Sequence, residues 1–86
     1  MRASEKAFTD AAAAQGIRVF HDEVGICISR ETKINGRIYA HAMEVSDKIA
    51  LASPKDWQDH FDQLDCRFAS LLAANGHISL PEKFRK

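Results

Sequence analysis

The chain has 86 residues, 45% of them apolar and 28% charged, with twelve Lys plus Arg set against twelve Asp plus Glu. That length holds one domain, and the ordinary apolar and charged fractions indicate neither a disordered chain nor a membrane protein. A formal net charge of zero excludes both a strongly basic nucleic-acid clamp and an acidic nucleic-acid mimic.

Reading from the start, charged Glu5, Lys6 and Asp10 stand where a secretory signal would place an apolar stretch, so a cytoplasmic protein is expected. A helix is predicted over 4–15. Phe8, Ala11, Ala12 and Ala14 fall there among good helix formers, and Gly16 stands where a left-handed cap would close it. Its apolar face is narrow, because only Phe8 is large, and this suits a lid over other elements. The four-alanine run Ala11 to Ala14 is as long as any apolar stretch in the chain, far short of the roughly 20 residues that a membrane span needs.

From Ile17 the period changes to two: Ile17 and Val19, then Val24, Ile26 and Ile28. The spacing predicts a strand over 17–21, a turn at Asp22-Glu23 and a longer strand after it. Asn35-Gly36, between Ile34 and Arg37, is the pair that a two-residue type I′ hairpin demands, since both central residues need positive φ. With Ile34 opposite Arg37, Thr32 meets Tyr39, Arg30 meets His41, Ile28 meets Met43 and Ile26 meets Val45, all on one side of the pleat. Cys27, Ser29, Glu31, Lys33, Ile38, Ala40, Ala42 and Glu44 take the other side. The first face is apolar at its base, through Val24, Ile26, Ile28, Met43 and Val45. At its tip it carries Arg30, Thr32, Arg37, Tyr39 and His41. A hairpin patterned this way is expected to outrun the core as a protruding finger. Residues 48–52, with Ile49 and Leu51, fit either a short edge strand or an irregular connection.

Ser53-Pro54-Lys55-Asp56 opens a second helix: the serine oxygen can accept first-turn amides, proline suits the first helical position, and Asp56 complements the dipole. Trp57, Phe61, Leu64, Phe68, Leu71 and Leu72 give it one apolar stripe to about Ala74, where Asn75-Gly76 closes it. His77 to Pro81 then alternates like a short extended segment, and 82–86 reads as a flexible basic tail. The expected architecture is one α+β domain over 1–86 in α-β-β-β-α order. It has a small antiparallel sheet of three strands, or four if 48–52 joins, and both helices cover one face. Trp57, Phe61, Leu64 and Phe68 should meet Ile26, Ile28, Met43 and Val45. So small a core leads us to expect self-association or a partner.

Two constellations stand out for binding. Arg30, Lys33, Arg37, Tyr39 and His41 gather cations around an aromatic ring at the hairpin tip, a combination suited to phosphate or to a carboxylate-rich surface; the plain alternative is a charged edge that deters pairing. Asp56, Asp59, Asp62 and Asp65 recur every three residues along the second helix, as an acidic binding face or a merely solvated one. Trp57 is either a core residue or an interface anchor. His21, His41, His60 and His77 have neither metal-motif spacing nor a nucleophile signature beside them. Cys27 and Cys66, without a CxxC, read as reduced apolar side chains. No catalytic residue, metal site or cofactor is therefore assigned, and no glycine-rich phosphate loop is present.

The order helix, three antiparallel strands, helix resembles that of double-stranded RNA-binding domains. The resemblance is one of element order alone. That family's second helix begins with lysines aimed at phosphates, whereas here Lys55-Asp56 leads into Asp59, Asp62 and Asp65, so no residue role carries over. The expected function is non-enzymatic protein–protein binding, as a small regulator, adaptor or inhibitor of a larger complex. Accessory proteins of phages and other mobile elements are often of this size and kind. The partner is an unidentified protein or a second copy of the chain. The alternative is nucleic-acid binding, specifically RNA, through the hairpin tip together with Lys83, Arg85 and Lys86. A third reading makes His41 or His60 the general base of an enzyme.

Overall fold

The computed structural model describes residues 3–79 and residue 82. Helix α1 (Ala3–Ala14) ends as its sequence predicts. Gly16, at φ 75°, lets its own amide reach the Ala13 carbonyl and the Ile17 amide reach that of Ala12, at 3.0 and 2.9 Å. This is a Schellman closure, and it brings Ile17 and Ala12 together in the core. Phe8 is fully buried, stacked on Phe61 at 5.4 Å and edge-on to Trp57 at 5.7 Å. The narrow helix thus supplies the centre of the aromatic core as well as covering it.

Strands β1 (Arg18–His21), β2 (Ile26–Ile34) and β3 (Arg37–Glu44) form one antiparallel sheet in that order. Asn35 at φ 51° and Gly36 at φ 80° make the type I′ corner. The register is the one the corner dictates, from Ile34 opposite Arg37 to Cys27 opposite Glu44, and the Val45 amide extends it to the Ile26 carbonyl. Val24 departs from expectation: it lies in the loop between β1 and β2 and is 70% exposed. Asp22 turns the chain there, its Oδ1 accepting the amides of Val24 and Gly25.

Residues Asp47–Leu51 form a 3-10 helix, capped by Ser46, so no fourth strand joins the sheet among the described residues. Ile49 is buried there, and its carbonyl accepts the Trp57 indole N–H at 2.6 Å. Helix α2 (Pro54–Ala74) starts with a full capping box between Ser53 and Asp56. A second Schellman closure ends it, with Gly76 at φ 75° and the His77 amide on the Leu72 carbonyl at 3.0 Å. Beyond it, His77–Ser79 forms no strand. Leu80, Pro81 and the tail residues after Glu82, and with them the expected extended end and basic tail, lie outside the described residues.

Both helices pack on one face of the sheet. Ile26, Ile28, Val45, Phe61 and Leu64 interlock there with Phe8, Ala12, Ile17 and Ile49, and Val19, Met43 and Trp57 close the margin. The expected protruding finger is not observed. Asp65 of α2 reaches Arg30, and His77 just past its end reaches Tyr39, so the helix and its closure follow the hairpin to within two residue pairs of the corner, where Asn35, Gly36 and Arg37 stay exposed. No helix among the described residues is long and apolar enough to cross a membrane.

Candidate interaction surface of the hairpin

The register sets Arg30 beside His41, Thr32 beside Tyr39 and Ile34 beside Arg37, so four of the five expected tip residues share a face. That face is the one α2 covers. Arg30 is held by two partners: its Nε donates to Asp65 Oδ1 at 2.8 Å and its Nη2 donates to the Gln15 carbonyl at 2.8 Å. Both side chains of the ion pair are largely withdrawn from water, at 25% and 30% exposed. Tyr39 meets His77 through a 2.8 Å hydrogen bond and an edge-on ring contact at 4.8 Å. The Schellman closure of α2 is what aims His77 there. Arg37 lies over the outer face of Tyr39 at 5.8 Å. His41 has its Nε2 buried with no partner among the described residues. Lys33 points the opposite way, beside Glu31, Thr32 and Ile38 around a shallow hollow of about 360 Å³.

The four aspartates do not form one acidic face. A step of three residues falls short of a helical turn by about 60°, so Asp56 and Asp65 end on opposite sides of α2. Each is engaged differently. Asp56 closes the capping box, Asp59 pairs with exposed Lys55 at 3.3 Å, Asp62 accepts from Gln58 and Asp65 holds Arg30. Gln58 also exchanges amide bonds with Gln15, at 2.7 and 3.3 Å, which tie α2 to the end of α1. Trp57 takes the core role, half-buried against Phe8. Of the two histidines weighed as a general base, His60 donates its Nδ1 proton to the Asp56 carbonyl one turn back and His41 is the one described above.

The sequence reading missed a cluster at the root of the open face. Asp22, Cys27 and Glu44 bring their ligand atoms within 4.8 Å of one another, with Cys27 Sγ donating to Asp22 Oδ2 at 3.2 Å. Burial pushes the Cys27 thiol up to about 11, and the hydrogen bond and charge of Asp22 and the charge of Glu44 add to the shift. Asp22 moves the other way, held below its ordinary value by that thiol and by the amides of Val24 and Gly25. The thiol therefore stays protonated near neutral pH and is a poor nucleophile. The pairing of Cys27 with Glu44 follows from the hairpin register, but the arrival of Asp22 depends on a loop that periodicity does not describe.

Among the described residues, no helix packs on the opposite side of the sheet. Ile38 is 66% exposed there, Ala40 and Ala42 are exposed beside it, and Phe20 lies half-buried under Arg18 at 5.7 Å. Comparison of the chain with protein-family models, with curated proteins and with solved structures finds no match in any of the three.

Proposed function

We propose that the protein is a non-enzymatic protein-binding module, a small regulator, adaptor or inhibitor, working through the uncovered side of its hairpin in the cytoplasm. The observation that carries this reading is the open sheet face, where exposed Ile38, Ala40 and Ala42 are bordered by Glu31 and Lys33. An apolar strip with a charged rim is the composition of a protein interface. Two cysteines without a disulfide accord with a reducing compartment. The binding surface is therefore not the one that charge alone suggests, because Arg30 and Asp65 answer each other within the fold. That internal pairing also favours a protein partner over RNA: Lys33 and Arg37 are the tip cations that have no carboxylate within pairing distance among the described residues.

Affinity capture from the native host tests the proposal. Ile38→Asp should lose the partner that the wild-type chain retains while melting at the same temperature, since exposed sites rarely shift stability by more than about 0.5 kcal/mol. Lys55→Ala, on the outer side of α2, should retain it. Equal capture by Ile38→Asp and wild type contradicts the proposal, as does a nucleic acid in the captured complex whose binding weakens steeply with salt.

A further inference from the structure

The hydrogen-bond ladder of the hairpin decides which backbone groups β3 presents outward. In a two-residue hairpin the residues flanking the corner exchange both of their bonds, and every second pair does the same. Arg37, Tyr39, His41 and Met43 thus turn their backbone groups inward to β2, a series that the Val45 amide continues to the Ile26 carbonyl. Ile38, Ala40, Ala42 and Glu44 turn theirs outward. Strand β3 is an edge of the sheet, and no described residue bonds to those groups. Of the usual guards of an edge, β3 lacks proline, a bulge and lysine, and its charged residues Arg37 and Glu44 stand only at its two ends.

We propose that β3 pairs antiparallel with β3 of a second copy of this chain about a two-fold axis normal to the sheet, joining the two sheets into one. The idea rests on the reading of the hairpin as a protein-binding surface and names its partner. Such an axis keeps each face on its own side, so a residue can oppose only one of like orientation. One register then engages all the outward groups of both strands: Ile38 opposite Glu44 of the second copy and Ala40 opposite its Ala42. The small side chains at 40 and 42 let the strands approach.

Charge complementarity identifies the occupant as a second copy. Within one chain, Lys33 flanks exposed Ile38 from β2. In the pair, Glu44 of the second copy flanks Ile38 from the other side, so a lysine and a glutamate close over it at both ends of the interface. Glu44 has particular need of a cation, since its carboxylate lies within 4.8 Å of that of Asp22 and no described lysine or arginine pairs with either. Zero net charge on each copy leaves no overall repulsion to overcome. Both α2 helices stay on one side, and the two open faces merge on the other.

Analytical ultracentrifugation of the full chain across micromolar concentrations tests the proposal. Wild type should sediment as a dimer. Ala40→Pro removes an outward amide without touching the inward ladder and should sediment as a monomer with unchanged circular dichroism. Lys33→Glu should weaken the dimer about tenfold, and Lys33→Glu with Glu44→Lys should restore it, because charge pairs across an interface are coupled. Should Ala40→Pro fail to fold, the charge-swap pair still decides. A wild-type monomer, a dimeric Ala40→Pro, or a swap that restores nothing overturns the proposal. A monomer that still loses a captured partner on Ile38→Asp overturns self-pairing alone and leaves the binding function standing; a dimer from which Ile38→Asp removes no captured partner does the reverse.

Discussion

The root and the tip of the hairpin lie under the same helix but are held to it by different physics. At the root, Ile28, Phe61 and Leu64 are each at most 1% exposed, and the contact is non-directional apolar burial. At the tip, α2 and the residues after it reach β2 and β3 through the Arg30 to Asp65 ion pair and the Tyr39 to His77 hydrogen bond. Apolar burial is worth several kcal/mol per large side chain, whereas a partly exposed ion pair contributes about 0–1 kcal/mol. The root therefore carries the stability, while the tip sets how helix and hairpin align and opens first.

Five substitutions probe that contrast, in falling order of effect. Phe61→Ala at the root should cost about 3–5 kcal/mol in urea unfolding, and a loss under about 1 kcal/mol would mean that the stack on Phe8 is not the centre of the core. Gly16→Ala acts where root and tip are joined: at φ 75° a side chain is strained, and its Cβ would stand 3.3 Å from Arg30 Nη1. The expected cost is about 1–2 kcal/mol. Gly36→Ala makes the same backbone change with nothing within 4 Å, so any excess at Gly16 reads the displaced guanidinium. Tyr39→Phe removes the hydrogen bond to His77 and should cost about 0.5–1.5 kcal/mol, with faster amide exchange confined to residues near the corner. Unchanged exchange there would mean that the ring contact alone docks the tip. Arg37→Glu, on the exposed side of Tyr39, should shift stability by less than about 0.5 kcal/mol, and a larger loss would make it a structural clamp like Arg30.

Local chemistry was legible in the residues themselves. The Asn35-Gly36 corner, the register that follows from it, both glycine closures and the Ser53 cap each depend on contacts within a few positions, and the structure has all of them. Trp57, Phe61 and Leu64 likewise meet the sheet residues expected of them, whereas Phe68 is buried outside that cluster. What stayed hidden depends on contacts between distant positions. Arg30 and Asp65 are 35 residues apart, and Tyr39 and His77 are 38 apart. Each looked like an unengaged polar side chain because its partner belongs to another element. Only those two long-range contacts show that the hairpin lies along α2. Val24 misled for a different reason, as the turn at Asp22 interrupts the alternation on which its placement relied. The aspartate series misled through its period, which precesses around α2 instead of following one side.

The claim that the tip is docked, with its charges answered inside the fold, is tested most directly by a double-mutant cycle at Arg30 and Asp65 read by urea unfolding. Arg30→Glu and Asp65→Arg should each destabilise the protein, and the two together should recover most of the loss, with a coupling of about 0.5–1 kcal/mol. Arg30→Glu at wild-type stability, or two losses that simply add, would contradict it and return Arg30 to the solvent as a binding residue.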